Sequence, residues 1–336
     1  MKQHSFLTAL CLLFAAVPIT GQTIKSSMEF APSEHWVKPV EKPYREEICL
    51  NGTWAFAPVQ LPVGFKEGET PAPALPGVNE VTFSKTPIRI PSPWNVNSFA
   101  DKNGLGGDHR TYPSYPKEWE SIKMGWLQKK FTVPASWKGK RIQIHFEAVA
   151  GKTDIYVNGK AVGDNFDIFM PFDIDITDAV KFGQENTLNV GIQKSSLFDD
   201  RKSPLGRRTY QGGSFWGQHI AGIWQDVYLV ALPQTRVADV YIQPIVNKNT
   251  LEVEVTLRND ENKPVEVNIS AAAYPWISKA GKTVLTAANP SSQLGSQAAL
   301  QMPTQKVTIP AGKEIKTTLK TTVDNKLKLW SPSSPN

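Results

Sequence analysis

Two polar stretches of this chain hold the side chains best suited to chemistry. The richer runs from 196 to 219 and gathers Asp199, Asp200, Arg201, Arg207, Arg208, Tyr210, Trp216, Gln218 and His219. The other runs from 95 to 121 and carries Tyr112 and Tyr115 among glycines and polar residues. Trp and Tyr combine a flat apolar ring with a polar tip, so they pack on the apolar face of a pyranose. Asp and Arg hydrogen-bond hydroxyls, and a guanidinium grips a carboxylate in two places. Residues of these types can contact a sugar. The plainer reading is packing at a domain interface together with ordinary surface charge.

The same residues make a poor hydrolytic centre. Breaking a glycosidic bond takes two carboxyl groups, about 5–5.5 Å apart for retention or about 6.5–9.5 Å for inversion. One of them must be held protonated by its surroundings. Asp199-Asp200 is an adjacent acidic pair, but neighbours on an extended segment point in opposite directions. A solvated loop or a salt bridge to Arg201 accounts for them better. Other catalytic plans are absent from the sequence. His35, His109, His145 and His219 form no His-Glu-x-x-His run and no Cys/His cluster, so no metal site is expected. Gly104-Leu105-Gly106-Gly107 lacks the Lys-Ser/Thr ending of a phosphate loop, and there is no Gly-x-Ser-x-Gly elbow. No cofactor is expected.

The chain has 336 residues, room for two domains, and a net charge of +6 without a block of like charge, which argues against a nucleic-acid partner. Lys2, the apolar run Phe6 to Ile19 and the small residues Thr20 and Gly21 read as a signal peptide over residues 1–21. The run is short for a membrane span. The expectation is an exported protein, periplasmic or secreted, with no membrane span once the signal is removed. An uncleaved anchor is the competing reading. Cys11 lies inside the apolar run, so Cys49 is not expected to form an internal disulfide and is expected as a small core residue. Asn51-Gly52-Thr53 and Asn268-Ile269-Ser270 match the glycosylation sequon, the first also reading as a turn before Trp54.

The elements around these stretches read as strands. An extended lead-in covers 22–46, and Leu50 to Phe56 reads as a first strand with Trp54 and Phe56 on one face. Residues 57–87 are rich in Pro, Gly and Glu and read as loop. Ile88 and Ile90 fit a short strand ended by Pro91 and Pro93. From Trp126 to Leu232 the alternation is almost unbroken: Ile142, Ile144 and Phe146, then Leu188, Val190 and Ile192, then Val227, Leu229 and Ala231. Asn158-Gly159 supplies a tight hairpin turn, and Asp173 to Thr177 is expected to start a turn or short helical piece near Asp178-Ala179-Val180. Pro233-Gln234-Thr235 marks a boundary. Beyond it five strands alternate, around 240–242, 251–257, 265–269, 306–309 and 314–319, with 277–305 as loop apart from a possible short strand at Val284-Leu285. With no long amphipathic helix between strands, the class is all-β, built from sandwiches.

Several phrases in this order carry a resemblance: Leu50-Asn51-Gly52-Thr53-Trp54-Ala55-Phe56, Gly125-Trp126-Leu127, Asp154-Ile155-Tyr156-Val157-Asn158-Gly159, Pro171-Phe172-Asp173-Ile174, Ala221-Gly222-Ile223-Trp224-Gln225-Asp226-Val227, and Leu329-Trp330-Ser331-Pro332. They resemble the sugar-binding β-sandwich and following domain of family 2 glycoside hydrolases, the β-galactosidase, β-glucuronidase and β-mannosidase type. The resemblance implies a jelly-roll-like, galactose-binding-like β-sandwich over 47–233. It implies an incomplete immunoglobulin-like β-sandwich with an open sheet edge over 234–336. The intact enzyme would hydrolyse β-linked O-glycosidic bonds with retention, using two glutamates of a C-terminal barrel domain to which no position here corresponds. This portion would then be non-catalytic.

The resemblance also turns the two loops into one side of a sugar pocket, with Tyr112, Asp199, Asp200, Arg207, Trp216 and His219 as the substrate-binding candidates and a β-glycoside as the partner. Galactosidase-like members carry Asn-Val-x-Tyr-Pro where this chain reads Tyr112-Pro113-Ser114-Tyr115-Pro116, which argues against a plain β-galactosidase site. A stand-alone carbohydrate-binding β-sandwich without hydrolase activity is the alternative, and an inert scaffold the third reading.

Overall fold

The computed structural model describes residues 46–68, 71–95, 115–199, 220–278, 292–323 and 331–333. The first unit contributes eleven strands: β1 Glu46–Cys49, β2 Gly52–Val59, β3 Ile88–Ile90, β4 Met124–Thr132, β5 Arg141–Phe146, β6 Val149–Val157, β7 Lys160–Asp167, β8 Phe172–Asp175, β9 Glu185–Gln193, β10 Gly222–Ile223 and β11 Val227–Leu232. They form a four-stranded sheet in the order β1-β11-β5-β8. The opposing seven-stranded sheet runs β10-β6-β9-β4-β2-β3, with β7 also on β6. Every strand pairing is antiparallel. The all-β expectation holds.

Alternation builds the core between these sheets. Ile142, Ile144 and Phe146 of β5 and Val227 and Leu229 of β11 face Phe56, Leu127, Ile155, Val157, Leu188, Val190 and Ile192 of the larger sheet, all essentially sealed from solvent. Asn158 (φ 51°) and Gly159 (φ 81°) make the β6–β7 turn, both in the left-handed region that two-residue hairpins demand.

One sequence expectation is corrected here. Leu50 to Phe56 is not one strand. Chain direction breaks at Leu50-Asn51, where Asn51 Nδ2 donates to Asp226 Oδ1 (2.9 Å) and Asn51 Oδ1 accepts from Val227 N (3.1 Å). With Gly52 at φ 104°, the chain passes from the smaller sheet to the larger one. Asp173 to Asp175 lie in β8 and lead into the turn expected near Asp178, which begins at Thr177, where Thr177 N donates to Asp175 Oδ1 (2.9 Å). Cys49 ends β1 and is buried with Tyr228 and Val230 in a small cluster of its own.

The second unit holds β12 Thr235–Ile245, β13 Thr250–Asn259, β14 Val265–Ile269, β15 Ala272–Ala273, β16 Trp276–Ser278, β17 Ser292–Leu294, β18 Leu300–Gln301, β19 Gln305–Ile309 and β20 Glu314–Thr322. A β12-β13-β20 sheet packs on the ribbon formed by β14-β19, β15-β18 and β16-β17. Val253, Val255, Leu257, Ile269, Ile309 and Leu319 close the core between them. The expected loop of 277–305 therefore contributes short strands, too brief to show alternation; Val284-Leu285 lies outside the described residues. Among the described residues β12 is a sheet edge, and it leaves Val237, Val240, Tyr241 and Ile242 exposed. The two units meet through Gln234 Nε2, which donates to Gly139 O (2.8 Å), and through Arg141, which bonds Asp175 and lies 4.0 Å from Asp260.

Candidate functional site

Strand registers bring the ends of both chemistry-bearing loops to one end of the first sandwich. Met124 at the start of β4 pairs with Gln193 at the end of β9, Lys152 near the start of β6 pairs with the same Gln193, and Gly222 pairs with Ala150. Asp199 follows β9 by six residues. Ile220 and Ala221 lead into β10, and Trp94-Asn95 lie against them. Trp94 N donates to Ala221 O (3.2 Å), Ala221 N donates to Asn95 Oδ1 (2.9 Å), and Ser92 N donates to Ile223 O (3.0 Å). The stretch that opens the first loop is thus stitched to the stretch that closes the second.

Buried aromatic rings set this junction. Trp94 is fully buried, stacks on Phe56 at 5.0 Å and donates its Nε1 hydrogen to Ile122 O (3.0 Å). Gly222 sits at φ 120°, and a Cβ there would stand 2.9 Å from the Trp94 ring. Only glycine lets the chain pass this close. On the far side of the first loop, Tyr115 stacks on Trp119 at 5.1 Å, and its hydroxyl accepts from Arg89 N (3.0 Å). Burial raises the Tyr115 phenol above its usual range, so it stays a neutral hydrogen-bonding group.

Of the six substrate-binding candidates, the structure places Asp199. It is buried, at 5% exposure, and closes the 3₁₀ turn Ser195–Phe198 with Asp199 N donating to Ser196 O (3.3 Å). That burial corrects the solvated-loop reading for Asp199. Tyr112, Asp200, Arg207, Trp216 and His219 lie outside the described residues. Among the described residues no group of three or more His, Cys, Asp or Glu side chains could hold a metal ion, and no helix is long and apolar enough to cross a membrane.

Residues 48–233 match the family model described as "Glycosyl hydrolases family 2, sugar binding domain", and residues 235–336 match the one described as "Glycosyl hydrolases family 2". The chain belongs to glycosyl hydrolase family 2. It is similar to a beta-galactosidase of Thermoanaerobacter pseudethanolicus, 32% identical over 152 residues that cover 44% of this chain and 19% of that protein. It is also similar to a beta-glucuronidase of Formosa agariphila, 29% identical over 204 residues, 56% of this chain and 20% of that protein. A beta-glucuronidase of Bacteroides uniformis shares the fold at a TM-score of 0.56 and 20% identity, over 86% of this chain and 29% of that one. The chain spans about a fifth of the length of the curated relatives it matches.

Around the loop ends of this family 2 chain lie groups that sequence reasoning missed. Phe166 packs on Phe198 (5.0 Å) and Phe169 on Trp224 (5.8 Å), while Trp224 Nε1 donates to Ile168 O (2.8 Å). Phe166, Phe169 and Met170 are exposed. The turn that carries them is held by Asp167, whose Oδ1 accepts from the backbone N–H of Ile168, Phe169 and Met170 at 2.6, 2.8 and 2.9 Å. Burial by itself would raise the Asp167 carboxyl, but these three donors hold it below the usual carboxylate range. Lys194, between β9 and Asp199, is pushed down to about 8 by burial and then by the neighbouring Lys123 ammonium. Lys123 itself is paired with Glu67. The signal that could have found the aromatic rim is Phe166-Asp167-Ile168-Phe169-Met170, an apolar run with an aspartate positioned to cap a turn.

Proposed function

We propose that this chain is the sandwich-forming, non-catalytic portion of an exported glycoside hydrolase that cleaves β-linked O-glycosidic bonds in carbohydrate catabolism. The observation that carries the reading is the order of two family 2 domains, with the ends of loops 96–114 and 200–219 stitched together at one end of the first. On this reading residues 96–114 and 200–219 supply one wall of a sugar pocket, with Tyr112, Asp199, Asp200, Arg207, Trp216 and His219 as its polar and aromatic groups. The glutamate acid and nucleophile belong to a barrel domain outside these residues. The small share of its relatives' length that the chain spans supports that placement.

The test is an assay of the 336-residue chain, and of the complete product of its reading frame, on aryl β-galactoside, β-glucuronide and β-mannoside. The chain alone leaves all three intact, and the complete product cleaves at least one with retention of configuration. Hydrolysis by the purified 336-residue chain above a mock preparation overturns the reading. Export through residues 1–21 is tested by N-terminal sequencing of the mature product, which begins at or near Gln22.

A further inference from the structure

The outer face of the larger sheet holds a cavity of about 580 Å³, between strands β4, β6 and β9 and the segment 71–83 that crosses above them. That volume is ordinary for a small-ligand pocket. It lies toward the Asn158-Gly159 hairpin, away from the end at which the two loops leave. Its floor is made by the strand positions that alternate with the core: Trp126 and Gln128 of β4, Asp154 and Tyr156 of β6, and Asn189 of β9.

The floor is an organised surface. Trp126 and Tyr156 meet at 5.7 Å and 65°, so two aromatic planes form a corner. Gln128 Nε2 donates to Asn189 Oδ1 (2.9 Å) across the neighbouring strand. That bond leaves Gln128 Oε1 as an acceptor, Asn189 Nδ2 as a donor and the Tyr156 hydroxyl as both, none with another hydrogen-bond partner among the described residues. Trp126 and Asn189 are buried, at 4% and 5% exposure, so they back the cleft, and the half-buried Tyr156 ring is the aromatic face that a ligand reaches. Asp154 is paired with Lys152 at 2.6 Å through one oxygen and keeps the other.

The roof is stiff and fixed to the floor. Pro71, Pro73 and Pro76 restrict its backbone. Trp126 Nε1 donates to Pro76 O (2.8 Å), and Gln193 Nε2 donates to Pro73 O (2.6 Å). Leu75 packs where a side chain at Gly191 would stand, since a Cβ at 191 would lie 2.5 Å from Leu75 and 2.8 Å from Trp126. A cleft built before its ligand arrives loses little freedom on binding.

An aromatic plane, that of Tyr156, beside amide and carboxylate groups suits a molecule with one apolar ring face and a rim of hydroxyls. The lining includes two carboxylates, Glu80 and Asp154, and no Lys, Arg or His. That charge pattern disfavours uronates, phosphates and sulfated sugars. We propose that this cleft, between Trp126, Tyr156, Gln128, Asn189 and the roof at 75–83, is a binding site for a neutral saccharide. The proposal does not rest on the hydrolase reading, because none of its residues lies in the two loops.

Calorimetry of the full 336-residue chain with lactose, cellobiose, laminaribiose and β-mannobiose, and with glucuronate and galacturonate, tests it. At least one neutral disaccharide binds and the uronates do not. Tyr156→Ala weakens that binding by about tenfold. Asn79→Trp, which places an indole in the cleft from an exposed roof position, abolishes it without touching a strand. Tyr241→Ala, at an exposed position of the second unit, leaves it unchanged. Absence of binding by every neutral sugar overturns the proposal, as does binding that survives both Tyr156→Ala and Asn79→Trp, or uronates bound as tightly as neutral sugars. Each of those results leaves the aryl-glycoside assay of the complete product standing as a separate readout.

Discussion

The contact between Trp94 and Gly222 gives a prediction whose magnitude follows from the geometry. Trp94 is fully buried against Phe56 and bonded to Ile122 O, so Trp94→Ala removes a large ring from a closed site and orphans that carbonyl. Trp→Ala substitutions in cores cost about 3–5 kcal/mol. For a domain of this size that lowers the melting temperature by about 6–20 °C. Gly222→Ala attacks the same contact from the other side. The residue is held at φ 120°, a conformation costing about 1–3 kcal/mol for a side-chain-bearing residue. Its new methyl also meets Trp94 at 2.9 Å, an overpacking worth about 1–3 kcal/mol more. Gly222→Ala therefore costs about 2–6 kcal/mol alone but only the backbone part, about 1–3 kcal/mol, once Trp94 is alanine. Urea unfolding of the four proteins, followed by far-ultraviolet circular dichroism, measures the cycle. A cost for Gly222→Ala that agrees within about 0.5 kcal/mol in both backgrounds refutes the claim that the ring enforces glycine at this position.

Lys194 predicts a stability that rises with pH. The unfolded side chain titrates near 10.5 and the folded one near 8, so the unfolded chain binds more protons between those values. Stability increases across that window by at most about 3 kcal/mol, and Lys194→Met removes the increase in urea midpoints measured through it. Asp167 works in the opposite sense: its lowered carboxyl contributes stability above the unfolded value of 3.8 that is lost as pH falls through the folded value. Asp167→Ala costs about 1.5–3 kcal/mol at neutral pH and flattens the acid limb of the unfolding profile. Asn259 is fully buried and its Nδ2 lies within hydrogen-bonding reach of Lys263 O, Ile309 O and Pro310 O. Asn259→Ala costs about 2–4 kcal/mol, seen as faster hydrogen exchange in β13 and β19 with the first sandwich unchanged.

Strand positions were legible where one face meets the core and the other does not. Ile142, Ile144 and Phe146 alternate in sequence and are buried in the structure, and Asn158-Gly159 turns the chain as its residue types require. The sheet change at Asn51-Gly52 was hidden, because Trp54 and Phe56 continue a pattern that Leu50 begins. What breaks the strand is a side-chain bond to Asp226, some 175 residues away. Tertiary partners of that kind leave no local trace. Trp126 and Tyr156 read as ordinary strand aromatics for a similar reason. Whether such a residue fills a core or floors a cleft depends on which face the alternation assigns it and on what crosses above. Asp199 is a candidate because of the polar residues around it, while its burial at the turn after β9 is something composition does not announce.

The pairing of β1 with β11 places Glu46 opposite Ala231, so the first strand to leave the ribosome waits for almost the last one of its domain. Contacts of such sequence separation make assembly slow, since a long stretch of chain must lose its freedom before the reward arrives. Until Leu229 and Ala231 are synthesised, the smaller sheet lacks its second strand, and the apolar faces of β2, β4 and β5 stay uncovered. The nascent polypeptide therefore exposes apolar strand faces until β11 is made, a state prone to aggregation. It acquires a finished first sandwich only after the linker into the second unit has begun to emerge.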